Sequence, residues 1–209
     1  MNSLSTAITG ERARSFNWAV KVSLILLLLV GVIFPDLPQI EGKGWPWRAA
    51  FFPLGIIVVP IYWRIKGGSG SYPHLVDSLL GTTLVIDIVG NLANLYGTFE
   101  HFDDGVHFLT GIILVTALVI ALAPLRLAAW NRVLLGTGFG AIAIVIFEGL
   151  EYLISKSGAT GLNLTYADTI SDLTLNTVGG ALGAIAGVQF PWKRTELRSG
   201  DVSTPSLAR

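Results

Sequence analysis

The chain has 209 residues, of which 52% are hydrophobic and 13% charged, with a mean hydropathy of +0.63, too apolar for a soluble domain and too short for several domains. Its 14 basic and 14 acidic residues leave no formal net charge, which excludes nucleic acid as the main partner. The absence of cysteine excludes a disulfide framework, thiolate ligands and a thiol nucleophile.

In chain order, residues 1–16 are polar and are expected to form a cytoplasmic segment. A first apolar run covers Asn17 to Phe34. It lacks the small-residue cleavage pattern of a signal peptide and leads into Pro-Asp-Leu-Pro, so a retained helix is expected. A second run, about Ala49 to Trp63, contains Pro53 and Pro60 and should bend. A third, about His74 to Tyr96, holds Asp87, with Asn91 and Asn94 one and two turns further on. The fourth is expected from Asp103 to Ala123, the fifth from Trp130 to Ile154 and the sixth from Thr169 to Phe190. The expected fold is therefore an all-α, polytopic transmembrane bundle of six helices over residues 17–190, with a cytoplasmic tail at 191–209.

Lysine and arginine favour cytoplasmic loops. With both termini cytoplasmic, the inner segments carry Arg12, Arg14, Lys21, Arg64, Lys66, Arg126, Arg132, Lys193, Arg194, Arg198 and Arg209, and only Lys43, Arg48 and Lys156 remain outside. Trp45, Trp47, Tyr96 and Tyr152 would then mark outer interfaces, and Trp18, Trp63 and Trp130 inner ones. A multi-pass protein of the cell membrane results, with the lipid bilayer as its first partner.

Helices three and five end, and helices four and six begin, at one membrane face. That face should collect Asn91, Asn94, Asp103, His107, Glu148, Glu151, Asp168 and Asp172, with Asp87 and Asn176 deeper. Residues three or four apart share a helix face, so Asp103 with His107, Glu148 with Glu151, and Asp168 with Asp172 and Asn176 can converge on one pocket. Carboxylates in bilayer-spanning helices cost roughly 2.5–3.5 kcal/mol each at the helix centre and need partners. Asp103 and Asp168 also suit helix capping. Glu148 and Glu151, in the last expected turns of their helix, meet the negative dipole end and call for protons or a cation.

Carboxylates with one imidazole suit a divalent metal such as zinc, manganese or iron, and an oxygen-rich subset suits magnesium. The candidate metal ligands are Asp103, His107, Glu148, Glu151, Asp168 and Asp172; Glu148 and Glu151 are the candidate catalytic acid/base groups, and Asp87, Asn91 and Asn176 the supporting residues. One metal, two metals and a proton-sharing network all fit. Asp77, near the inner end, reads as an interfacial residue. Gly179, Gly183 and Gly187 form a small-residue stripe suited to close packing within the bundle, and Gly136 and Gly140 a similar face. Asn163-Leu-Thr165 matches the glycosylation acceptor pattern, which is common by chance.

Asp103-Asp-Gly-Val-His107-Phe108, Glu148-Gly-Leu-Glu151-Tyr152 and Asp168-Thr169-Ile-Ser-Asp172 together resemble the YjdF-like family of uncharacterised inner-membrane proteins. The stretch Asp172-Leu-Thr-Leu-Asn176-Thr-Val-Gly179 is more distantly similar to the closing segment of VanZ-like membrane proteins. The resemblance covers about Phe102 to Gly187; Tyr152 stands where the family often has tryptophan, and the first three helices carry no recognised motif. It implies a membrane location, and the VanZ-like part points to the envelope without carrying a role over. The leading expectation is an outer-leaflet acidic/His pocket that binds a divalent metal and acts on an envelope or lipid-linked substrate. A proton- or cation-coupled transporter and a non-catalytic membrane subunit are the alternatives.

Overall fold

The computed structural model describes residues 2–68, 70–162 and 164–190. Asn163 of the glycosylation-like triplet and the expected tail at 191–209 lie outside the described residues. Seven α-helices follow one another: α1 (Asn2–Ile33), α2 (Trp45–Ile65), α3 (His74–Leu92), the single turn α4 (Leu95–Thr98), α5 (Phe102–Ala121), α6 (Ala129–Lys156) and α7 (Tyr166–Gln189). A 3-10 turn, Ala123–Leu125, links α5 to α6. Five of them contain stretches long and apolar enough to cross a membrane: Gly10–Ile33, Trp45–Ile65, His74–Leu92, Phe102–Leu125 and Ala129–Lys156. The sixth long helix, α7, has 24 residues, which at 1.5 Å per residue is also enough. Its Asp168, Asp172 and many glycines lower its hydropathy.

Several boundaries differ from the sequence expectation: α2 starts at Trp45 and not Ala49, α6 ends at Lys156 and not Ile154, and α7 starts at Tyr166 and not Thr169. Helix α1 starts at Asn2, about four turns before Asn17, because residues 2–16 contain no proline and only one glycine to interrupt a helix. The third apolar run stops at Leu92, where Asn94 takes a left-handed conformation with φ 54°; asparagine tolerates this better than most residues. Tyr96 therefore belongs to the short α4 and not to α3.

The bundle has two halves. In one, α1 packs on α3 and α2 leans on both, around Leu24, Leu28, Ile40, Trp45, Ile56 and Ile88. In the other, α7 packs along α5 and α6 closes on it, around Val115, Val119 and Ala184. The glycine stripe explains the close approach: a Cβ on Gly179, Gly183 or Gly111 would strike the backbone of Phe108, Ile112 or Asn176 respectively. The α5–α7 contact is thus backbone against backbone, the arrangement small residues permit in lipid. Contact between α3 and α5 joins the halves. Outward faces carry exposed apolar side chains such as Leu26, Leu54, Val58, Ile142 and Val145, a surface suited to hydrocarbon and not to water.

Candidate functional site

Between the two halves lies a cavity of about 530 Å³, walled by α2, α3, α5, α6 and α7. Its roof consists of the α1–α2 loop and the α6–α7 loop, which are tied together by the Gly161 N–H donating to the Gly42 carbonyl at 2.9 Å. One end of the cavity is polar and the other apolar.

The polar end holds the closest cluster. His107 is buried on α5, one turn after Asp103, and faces Asp172 of α7. Its Nε2 lies 3.4 Å from Asp103 Oδ1 and 3.6 Å from Asp172 Oδ1. One ligand atom from each residue falls within 4.8 Å of the other two. Two ligands each about 2.1 Å from a shared ion stand roughly 3–4 Å apart, so the spacing suits one cation. Gly111 and Gly179 make this possible, because their missing side chains let α5 and α7 approach until His107 and Asp172 meet.

Glu148 belongs beside this group. It is 6% exposed, it is near enough to His107, Asp103 and Asp168 to feel their charges, and neither carboxylate oxygen makes a hydrogen bond of good geometry among the described residues, Thr169 being its nearest side-chain donor. A buried carboxylate without a partner is costly. The expected dipole penalty is not its cause: α6 runs on to Lys156, so Glu148 is two turns from the helix end, beyond the reach of the effect. Burial is the cause.

The other candidates separate. Asp168 and Glu151 line the cavity outside the Asp103–His107–Asp172 group. Asp168 is not the cap of α7; Thr165 is, its hydroxyl accepting from the Asp168 N–H at 3.2 Å. Asn176 donates to the His107 carbonyl at 3.0 Å, fixing α7 against α5, while its own carbonyl oxygen has no partner among the described residues. Asn91 donates to Asp87. Asn94, expected at the pocket, sits instead on the exposed turn before α4.

Asp87 is occupied by a residue that the loop reading misplaced. Arg48 lies inside α2, buried, with Nε 2.8 Å from Asp87 Oδ2 and Nη2 3.3 Å from Oδ1. It also donates to the Lys43 carbonyl. The Tyr96 hydroxyl adds a bond to Asp87 Oδ1 at 3.3 Å, and burial together with the Asp87 charge holds that phenol protonated by raising its pKa. Two further residues were missed. Asp104 accepts from Ser171 at 2.5 Å and ties α5 to α7. Lys43, on the roof, lies over the Tyr96 ring at 5.4 Å and lines the cavity; burial, then repulsion from Arg48, lowers its pKa.

A second polar knot lies at the other end of α3. Asp77 is fully buried, 2.6 Å from Lys21, and accepts from Asn17 at 2.8 Å and Tyr72 at 2.5 Å. It is a structural anchor and not the interfacial residue expected.

The fold and site define a polytopic, all-helical membrane protein with a polar cavity inside the bundle. Residues 16–192 match the family described as "Predicted membrane protein (DUF2238)". That match covers most of the chain, which therefore belongs to this family, the YjdF-like family. No curated protein and no solved structure matches the chain.

Proposed function

We propose that Asp103, His107 and Asp172 hold a divalent cation, with Glu148 as an additional ligand or as the base beside it, and that the site acts on an envelope or lipid-linked substrate. The observation that supports this best is the meeting of three ligand atoms from α5 and α7 within 4.8 Å, next to a buried carboxylate that makes no hydrogen bond of good geometry among the described residues. A cation would satisfy Glu148 and relieve the mutual repulsion of Asp103 and Asp172. Bound there, it would polarise a phosphoryl or carbonyl oxygen of the substrate, and Glu148 would take the proton of a water attacking that centre and return it to the departing oxygen as the bond to it breaks. Glu151 and Asp168 would serve as cavity groups that orient the substrate.

In this reading the cavity opens towards the exterior leaflet and both termini are cytoplasmic, in keeping with the lysine and arginine distribution. A carrier is less well supported. It needs a polar path to both faces, and the acidic groups of α3 that could supply one, Asp77 and Asp87, are each held in an ion pair.

The test is the metal content of purified protein by elemental analysis. Wild type is expected to carry stoichiometric metal, Asp172→Asn and Glu148→Gln to lose it, and Asp36→Asn, at an exposed loop position outside the cavity, to keep it. Wild-type protein that stays metal-free after reconstitution with zinc, manganese, iron and magnesium overturns the reading.

A further inference from the structure

We infer that the cavity receives a membrane lipid with a phosphate head group, admitted sideways between α2 and α6 from the bilayer; this rests on the proposed cation site and names its substrate class.

The walls give the route. Helix α2 packs on α3, α3 on α5 and α5 on α6, but α2 and α6 share no extensive packing surface. They approach at the roof, where a Cβ on Gly44 would meet Ile154. Above, the two linked loops cover part of the cavity, and its polar end stays open to water at Asp103, whose side chain is 40% exposed, and at the exposed Glu100. Towards hydrocarbon, Phe147 lines the cavity and is 37% exposed. An amphiphile can therefore reach the cavity with its head group at the wet end and its chain in lipid.

The lining gives the shape of the occupant. On α5 the cavity runs from Asp103 to Leu114 and on α3 from Asn91 to Leu80, each about 16 Å at 1.5 Å per residue. That is about half of the ~30 Å hydrocarbon core. Its deeper wall is Phe52, Leu80, Leu84, Leu114, Ala143 and Ile144, which suits an acyl or prenyl chain. Its upper wall is charged, which suits a head group.

Charge selects the head group. Of the five lining carboxylates, Asp87 is neutralised by Arg48 and a cation on Asp103, His107 and Asp172 would offset Asp103, while Glu100, Glu151 and Asp168 remain, so a phosphate needs both the cation and Lys43. Lys43 has no carboxylate within ion-pair distance among the described residues, yet is close enough to Asp103 to interact with it across the cavity. A phosphate placed between the cation and Lys43 would be bound from two sides. Phosphate is the group that both a hard cation and a lysine ammonium favour.

The experiment titrates delipidated protein in maltoside detergent with dioctanoyl phosphatidic acid, with and without manganese, and reads the thermal midpoint. Dioctanoylglycerol and inorganic phosphate are the comparison probes. Phosphatidic acid is expected to raise the midpoint, with neither comparison probe matching it. Lys43→Ala should weaken the apparent affinity roughly tenfold or more, and Leu114→Trp, which fills the apolar end, should remove the response while bound metal remains. Should Leu114→Trp fail to fold, Lys43→Ala on the loop carries the test. An equal response to dioctanoylglycerol, an equal response to inorganic phosphate, or a response unchanged in both variants overturns the inference. Stoichiometric metal without a phosphatidic acid response overturns the lipid and leaves the cation site standing. A specific lipid response in metal-free protein does the reverse.

Discussion

Arg48 shows what a single residue decides. Its guanidinium forks onto Asp87 with separations of 2.8 and 3.3 Å, and Asn91 and Tyr96 complete the shell of that carboxylate. Removing one partner of a buried pair leaves a charge without compensation, typically at ~3–5 kcal/mol, whereas replacing both by apolar groups can be nearly neutral. Arg48→Met is accordingly expected to destabilise the protein by about 3 kcal/mol, and Arg48→Met with Asp87→Leu to recover most of it. Denaturant or thermal unfolding of the two single variants and the double variant measures this coupling; additive losses would show that the pair is not coupled. The cost of Asp87 in a membrane helix was legible in the sequence, but its partner was not. Arg48 follows Trp45-Pro-Trp47 at the start of an apolar run, a position equally suited to a loop cation, and only the packing of α2 on α3 turns it inward. Asp103, His107 and Asp172 were legible for the opposite reason: i, i+4 spacing on one helix and chain direction on the other constrain them without side-chain detail.

At the level of the element, the long helices follow from apolar runs of bilayer length, while their ends follow from chemistry that such runs do not express. Asn94 ends α3 by its left-handed turn, and α6 continues to Lys156 because no glycine or proline precedes Gly158 after Gly149. Pro53 and Pro60 were expected to bend α2, and Pro60 shows how a proline inside a membrane helix is accommodated. Having no N–H, it leaves the Ile56 carbonyl without its intrahelical donor. Lys21 of α1 supplies one, its ammonium donating to the Ile56 oxygen at 2.8 Å while also pairing with Asp77. Such repair from a neighbouring helix is the usual condition for proline in a membrane span. Pro60→Ala restores the N–H, so Lys21→Met should cost about 1 kcal/mol less in that background than in the wild type. A thermal-stability cycle over the four proteins reads the difference. Equal costs in both backgrounds would mean that the lysine serves Asp77 alone.

For the whole molecule, the structure sharpens the argument for orientation. Arg48 is paired with the half-buried Asp87 and Lys21 with the fully buried Asp77, so neither is a free loop cation in the folded protein. Without them, Lys43 and Lys156 are the only basic residues of the cavity-side segments among the described residues, against six on the opposite side: Arg12, Arg14, Arg64, Lys66, Arg126 and Arg132. By the positive-inside rule this distribution supports the proposed orientation, with the cavity roof outside the cytoplasm. The lack of cysteine makes this directly measurable, since a single introduced thiol is unambiguous. Ser157 is exposed on the roof side, and Ser71 is exposed between α2 and α3 on the other. A membrane-impermeant maleimide on intact cells is expected to label Ser157→Cys and to reach Ser71→Cys only after lysis. The reverse pattern would put the acidic pocket at the cytoplasmic leaflet, where a metal site could persist but an envelope substrate could not reach it. Labelling of the two positions thus decides which leaflet supplies whatever passes between α2 and α6.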